Sequence, residues 1–155
     1  MTAELAQEIA AFLAAHHVLS LATISSGVPH AVNLFYACDE LALVWLSDPK
    51  ARHSRDLEAN NRVAATVAPD YSDFATIKGV QITGTAQRVM AENKRRQYLA
   101  LLEGRYSFLK QLAAGALKLR EAYVQSAVYR LEPLRMVFID NTKGFGHKET
   151  LEFSV

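Results

Sequence analysis

Hydrophobic positions along this chain mark out its elements. Leu5, Ile9, Phe12, Leu13 and His16 recur at three- and four-residue intervals, so residues 3–16 are expected to form an amphipathic helix. Two β-prone segments follow, Val18–Ser25 and Val28–Ala37, with Ser26-Gly27 between them as a two-residue hairpin turn. Cys38-Asp39-Glu40 then turns the chain into Leu41–Ser47, which is apolar on both of its faces. A strand dry on both sides belongs inside a barrel or sandwich, or against a partner subunit. A basic helix over residues 49–59 and another strand, Arg62–Ala68, come next, and Pro69-Asp70-Tyr71-Ser72-Asp73 reads as a loop.

Phe74–Met90 has β character but is long for one strand, with Lys78, Val80, Ile82 and Ala86 on a dry face and Gln81, Thr83, Thr85 and Gln87 on a polar one. Gly79 and Gly84 inside it predict a bend, a bulge or the close approach of another backbone or ligand. From Ala91 to Leu119 the pattern is helical, through Leu99, Leu102, Tyr106, Leu109 and Leu112, with Gly104 and Gly115 dividing it into two or three helices. β character returns in Tyr123–Leu131 and Leu134–Ile139, around Glu132-Pro133. Six or more short strands with interposed helices predict a mainly β, α+β fold: a closed antiparallel barrel with helical additions. Open edges would favour closure or self-association.

Composition narrows the classes of function. A chain of 155 residues suits one domain, 1–155, with a proper core. A net charge of +1 leaves no footprint for nucleic acid or an anionic membrane. Cys38 is the only cysteine, which excludes a disulfide framework or a cysteine-based metal site within one chain and suits a reducing compartment. No leader pattern and no apolar run of bilayer length is present, so a soluble cytoplasmic protein is expected, with no metal.

Two stretches carry candidate chemistry. In Leu46-Ser47-Asp48-Pro49-Lys50-Ala51-Arg52-His53, Asp48 is a candidate cap and Pro49 a candidate first helical residue. Lys50, Arg52 and His53 then crowd the positive end of the helix, where a phosphate is the expected anion. Lys50 offers a point charge, Arg52 a fork of donors and His53 a switchable donor; a solvated basic face is the competing reading. In Asp140–Lys148, the glycines permit unusual backbone angles, Phe145 offers a stacking surface, and Lys143, His147 and Lys148 add donors. A plain glycine turn around a core phenylalanine competes with that reading.

The order of these motifs resembles the pyridoxamine 5′-phosphate oxidase-like FMN-binding split-barrel superfamily over roughly residues 4–148. Gly27-Val28-Pro29-His30-Ala31-Val32-Asn33-Leu34-Phe35-Tyr36 resembles its second strand, Leu46-Ser47 with Arg52-His53 and Leu57 its phosphate motif, and Gly79–Gly84 its long strand. Asp140-Asn141-Thr142 with Gly144-Phe145-Gly146 and Lys148 is similar to the YhbP-like bacterial branch. The resemblance implies a six-stranded antiparallel split β-barrel with an N-terminal helix, a short helix after the third strand and a helical insertion before the last strands. It implies FMN held between two identical subunits, with Leu46, Ser47, Lys50, Arg52 and His53 at the phosphate and backbone groups of Val32, Asn33 and Leu34 along the isoalloxazine edge. Gln81 would add a side-chain hydrogen bond, and Lys143 and Phe145 would close the pocket.

Departures bear on the chemistry. His53 stands where a lysine is usual, Gly79 where the oxidases have a flavin-binding glutamine, and the oxidases' substrate-binding arginine and histidine have no counterpart here. An FMN-dependent oxidoreductase on an unknown small substrate is therefore the leading expectation, with no residue assigned a catalytic role. A flavin- or haem-binding dimer for sensing or storage is the alternative, and an interaction dimer with an empty barrel the third.

Overall fold

The computed structural model describes residues 2–154. Helix α1, Thr2–Ala15, buries Leu5, Ile9, Phe12 and Leu13, the stripe its periodicity marks. Strands β1 (Val18–Ser25) and β2 (Val28–Phe35) form the expected hairpin, whose turn holds Ser26 at φ 51° and Gly27 at φ 74°. Both central residues with positive φ match the twist of the flanking strands. Cys38 and Asp39 do not form the turn that composition suggests. They lie in a short strand β3 (Ala37–Asp39) paired with β4 (Ala42–Ser47), and the reversal falls at Glu40, φ 55°.

Helix α2 (Arg52–Ala59) leads to β5 (Arg62–Val67), and a 3-10 turn (Phe74–Thr76) precedes β6 (Lys78–Arg88). The helical insertion comprises α3 (Glu92–Arg105), α4 (Ser107–Ala114) and α5 (Leu117–Gln125). Its first break falls at Tyr106, not at Gly104, which sits inside α3, and Tyr123 belongs to α5 rather than to the next strand. Strand β7 (Ala127–Asp140) runs unbroken through Pro133, and a second 3-10 turn (Asn141–Lys143) leads to β8 (Lys148–Glu152).

The eight strands, two more than expected, form one antiparallel curled sheet in the order β2-β1-β5-β6-β7-β4-β3, with β8 also on β7. One edge of β7 pairs with β6 along nearly its whole length. Its other edge is shared: Ala127–Leu131 pair with β4 and Arg135–Ile139 with β8. The split falls at Pro133, which faces Gly84 across a register shift that leaves Leu134 as the extra residue. Proline offers no N–H there, and the Leu134 carbonyl accepts from the Phe153 N–H at 3.0 Å, so the bulge leaves little unpaired. Gly84 is required by the close approach: a Cβ there would lie 2.2 Å from the Glu132 carbonyl oxygen.

Two hydrophobic clusters meet across β4. Leu43 and Trp45 point into the barrel with Tyr129, Ile82, Met136 and the apolar stripe of α1. Val44 points outward, under Tyr98, Leu102, Tyr106 and Leu109 of the insertion. The strand is dry on both faces because its own chain covers the second one.

Candidate functional site

Alternation along β4 turns Ser47 to the same face as Trp45, at the strand's end, where its Oγ lies 2.5 Å from His53 Nε2. Asp48 does not cap the helix. Its Oδ1 accepts the Lys50 N–H at 2.8 Å and its carbonyl accepts the Ala51 N–H at 3.0 Å, so this side chain is consumed in a local turn. Helix α2 starts at Arg52 instead, with Ala51 at its N-cap and no side-chain acceptor. The amides of its first turn are left to water or to an anion.

Around this helix end, Asp56 is buried and accepts a hydrogen bond from Thr23 Oγ1 at 2.8 Å, while Arg52 Nε approaches it at 3.8 Å. Arg52 keeps about half of its side chain exposed and Lys50 is exposed, so both cations are available to a ligand. The Ser54 hydroxyl is buried with no partner among the described residues. Burial holds the His53 pKa below its ordinary value, and His30 on β2 pushes the same way, against the opposing pull of Asp56.

A pH dependence follows. A histidine held neutral in the fold but free to protonate when unfolded stabilises the native state fully above its ordinary pKa of about 6.5 and less as pH falls below that value. Thermal melts of the ligand-free protein should therefore fall between pH 7 and pH 5, and the drop should flatten in His53→Gln. An unchanged slope in that variant would remove His53 as the titrating group.

A cavity of about 260 Å³ opens where the insertion meets the barrel, lined by Asn33, Leu34, Phe35, Leu46, Tyr106 and Phe108 among others. It unites three residues expected at the site with an insertion wall that sequence reading missed. The spacing of Leu102, Tyr106 and Leu109 is visible in the sequence, but which surface they cover is not. Phe35 lies 5.3 Å from the Tyr106 ring and 5.2 Å from that of Phe108. The Tyr106 hydroxyl donates to the His17 and Tyr36 carbonyls, and its backbone follows Arg105, whose guanidinium caps the carbonyls of Leu13, Ala14 and His16.

Strand β2 ends the strand order, so its outer edge carries backbone donors and acceptors without a strand partner. Val32 and Leu34 are half-buried against the core, and Asn33 Oδ1 accepts from Ser20 Oγ at 2.7 Å. The remaining expected residues lie elsewhere. Gln81 is exposed on the outer sheet face opposite Thr66; Lys143 pairs with Glu8 at 2.9 Å and Glu149 at 3.4 Å; Phe145 is 86% exposed. None of these three lines the cavity beside β2. Cys38 is half-buried, and burial raises its thiol pKa despite the opposing Arg105 charge, so it is a poor nucleophile.

This architecture is a split barrel carrying a helical insertion. The sequence pattern of the pyridoxamine 5′-phosphate oxidase family matches residues 5–137, and the chain belongs to that family. It is 30% identical over 149 residues to a UPF0306 protein of Serratia proteamaculans (strain 568), covering 95% of this chain and 94% of that one. It is 29% identical over 145 residues to the UPF0306 protein YhbP of Escherichia coli O157:H7 (strain EC4115 / EHEC), covering 90% and 88%. Among solved structures, a haem-binding protein from Mycobacterium smegmatis superposes with a TM-score of 0.74 at 22% identity; the match spans 95% of this chain and 57% of that one. No helix among the described residues is long and apolar enough to cross a membrane.

Proposed function

We propose that this chain binds FMN along β2, with the phosphate at the start of α2 and the ring against the apolar cavity. The observation that carries the reading is the position of the free edge of β2 between these two features. His30 acts on the His53 ring at one end, and Leu34 lines the cavity at the other. At about 3.3 Å per residue the two positions are about 13 Å apart, the reach of a ligand with a charged end and a flat apolar end. The donor set fits a phosphate: Arg52 and Lys50 supply charge, the uncapped amides of α2 supply fixed dipoles, and Ser47 supplies a hydroxyl. The backbone N–H and C=O of Asn33 face the free edge and suit the donors and acceptors of a flavin edge, whereas those of Val32 and Leu34 turn toward β1.

Bound flavin supplies hydride or electron transfer. The chain's own residues bind and orient it, and the insertion keeps water from one side of the cavity. No side chain beside the cavity is placed as an acid, a base or a nucleophile, so the reading is a flavoprotein acting on a small substrate, with a second copy of the chain as its partner.

The test is affinity. Arg52→Ala removes a charge-assisted phosphate contact of about 1.5–3 kcal/mol, so the FMN dissociation constant should rise roughly ten- to a hundredfold in a fluorescence titration. An unaltered constant would displace the phosphate from this helix end.

Haem is the second reading. The His17 ring lies 6.1 Å from that of Tyr106 at the cavity wall, which brings an imidazole near the apolar site, and the similar Mycobacterium smegmatis structure is described as haem-binding. A Soret band in the purified protein, rather than flavin absorption, would favour it.

A further inference from the structure

Another cavity lies at the opposite end of α2 from the residues assigned to the flavin phosphate. It has a volume of about 530 Å³ and runs from the last turn of the helix, at Glu58, over Asn61 and Arg62 to Gln87, Arg88 and Tyr129. That size falls within the range of about 300–1,000 Å³ usual for a small-molecule site. Strand register explains why these residues gather. Arg62 opens β5 opposite Thr85, and the Ala86 N–H donates to the Asn61 carbonyl at 2.8 Å, so the ladder ends where the chain leaves α2. On the other side of β6, Arg88 stands opposite Tyr129 of β7. From Arg52 to Asn60 the helix rises about 12 Å, so one phosphate cannot serve both ends.

One wall of this cavity is cationic. Arg62 and Arg88 are exposed. Among the described residues the arginine ion pairs belong to Arg52, Arg95, Arg96, Arg130 and Arg135, and neither Arg62 nor Arg88 meets a carboxylate. A neighbouring hollow of about 360 Å³ shares Gln87 and Arg88 and also holds Arg130, but that guanidinium is tied to Asp39 and Glu132. The uncompensated charge therefore lies in the first cavity. Two unpaired guanidinium groups on one wall raise the local potential and present planar forks that fit phosphate oxygens.

Tyr129 adds an independent observation. It is 1% exposed, its ring is stacked on Trp45 with 6.1 Å between centroids, and its hydroxyl is buried with no partner among the described residues. A buried hydroxyl without a hydrogen bond is unfavourable, and this one belongs to a residue that lines the cavity.

The helix side is built of acceptors. The Asn60 N–H goes to the Asp56 carbonyl at 2.8 Å, which leaves the later carbonyls of α2 without a helical donor. They make this the negative end of the helix, and the exposed Glu58 carboxylate adds to it. An anion is repelled there, whereas hydroxyl groups find acceptors. Between the two walls stand the side-chain amides of Asn61 and Gln87, which both donate and accept.

We infer that this cavity binds a phosphate monoester of a small polyhydroxylated compound, with the phosphate on Arg62 and Arg88 and the hydroxyls toward Glu58 and the end of α2. A phosphate monoester carries about −1.5 to −2 at neutral pH, which suits two guanidinium groups better than the single charge of a carboxylate does. The Tyr129 hydroxyl donates to one of its oxygens. No exposed aromatic ring lines this cavity, so a base or a flavin ring has nothing to stack on, in contrast to the cavity beside β2. The inference does not depend on the flavin reading, because the two sites share no residue.

Calorimetric titration with ribose 5-phosphate and glucose 6-phosphate tests it, in the Arg52→Ala variant so that the other end of α2 does not compete. At least one ester should bind with a dissociation constant below about 1 mM, inorganic phosphate at least tenfold more weakly, and ribose not at all. Arg62→Gln and Arg88→Gln remove exposed side chains, so each should keep the circular dichroism spectrum and weaken the ester at least tenfold. Tyr129→Phe should weaken it about threefold or more. In the otherwise native chain, both arginine variants should bind FMN as the native protein does. Two esters that fail to bind, or that bind the arginine variants unchanged, would overturn the site. Inorganic phosphate held as tightly as the ester would overturn the hydroxyl wall, and FMN weakened by Arg62→Gln would overturn the separation of the two sites. An ester bound by a protein that ignores FMN would uphold this inference while the flavin reading fails.

Discussion

Gly84→Ala is expected to lower the stability of this protein by about 3 kcal/mol, the upper end of ordinary overpacking, or roughly 6–12 °C in melting temperature for a chain of this size. The added Cβ would lie 2.2 Å from the Glu132 carbonyl oxygen, a main-chain atom that cannot swing aside as a flexible side chain would. Relief requires β6 and β7 to part at the bulge, where β7 exchanges β4 for β8 along its other edge. Gly79→Ala is the matched control. Its nearest atoms would be at 3.4 and 3.5 Å, ordinary contact, so a change within about 0.5 kcal/mol is expected. Equal losses in urea titrations of the two variants would show that the glycines matter for strand propensity alone.

Arg105→Ala should cost about 2–4 kcal/mol, because charged hydrogen bonds and stacking are lost together. The guanidinium reaches the Ala14 carbonyl at 3.1 Å and those of Leu13 and His16 beside it, and it lies 5.1 Å from the Tyr36 ring centroid and 5.7 Å from that of Tyr106. These carbonyls belong to the end of α1, where the last turn has no intrahelical donors, and among the described residues that turn holds no basic side chain of its own. One side chain thus holds the insertion to the N-terminal helix and keeps Tyr106 against the cavity. Limited proteolysis within residues 92–125 should quicken in Arg105→Ala and cofactor affinity should fall. Arg105→Lys, which keeps the charge but not the planar fork, should be intermediate. A variant as resistant to protease as the native chain would show that packing of Leu102 and Leu109 suffices to seat the insertion.

Much of the site was legible because it is local. Ser47, Lys50, Arg52 and His53 lie within seven residues, and the junction of a strand with a helix is announced by the change of hydrophobic period. The manner of capping was not legible, since Asp48 suits a helix cap and a tight turn equally well and only the path of the chain decides between them. Nor was the cavity wall, because Tyr106 and Phe108 reach Phe35 from more than seventy positions away. Strands β3 and β8 escaped notice because three and five residues of mixed polarity carry little periodicity, and their pairing partners supply the order.

From residue types and spacing alone come the amphipathic first helix, the Ser26-Gly27 hairpin and the basic helix end, since each depends on neighbours a few positions apart. The sharing of one edge of β7 between two strands, the covering of the outer face of β4 by its own chain and the free edge of β2 were decided by the tertiary structure. Those features depend on which distant backbones meet, and a pattern read along one line of residues holds no information about the second strand that satisfies it.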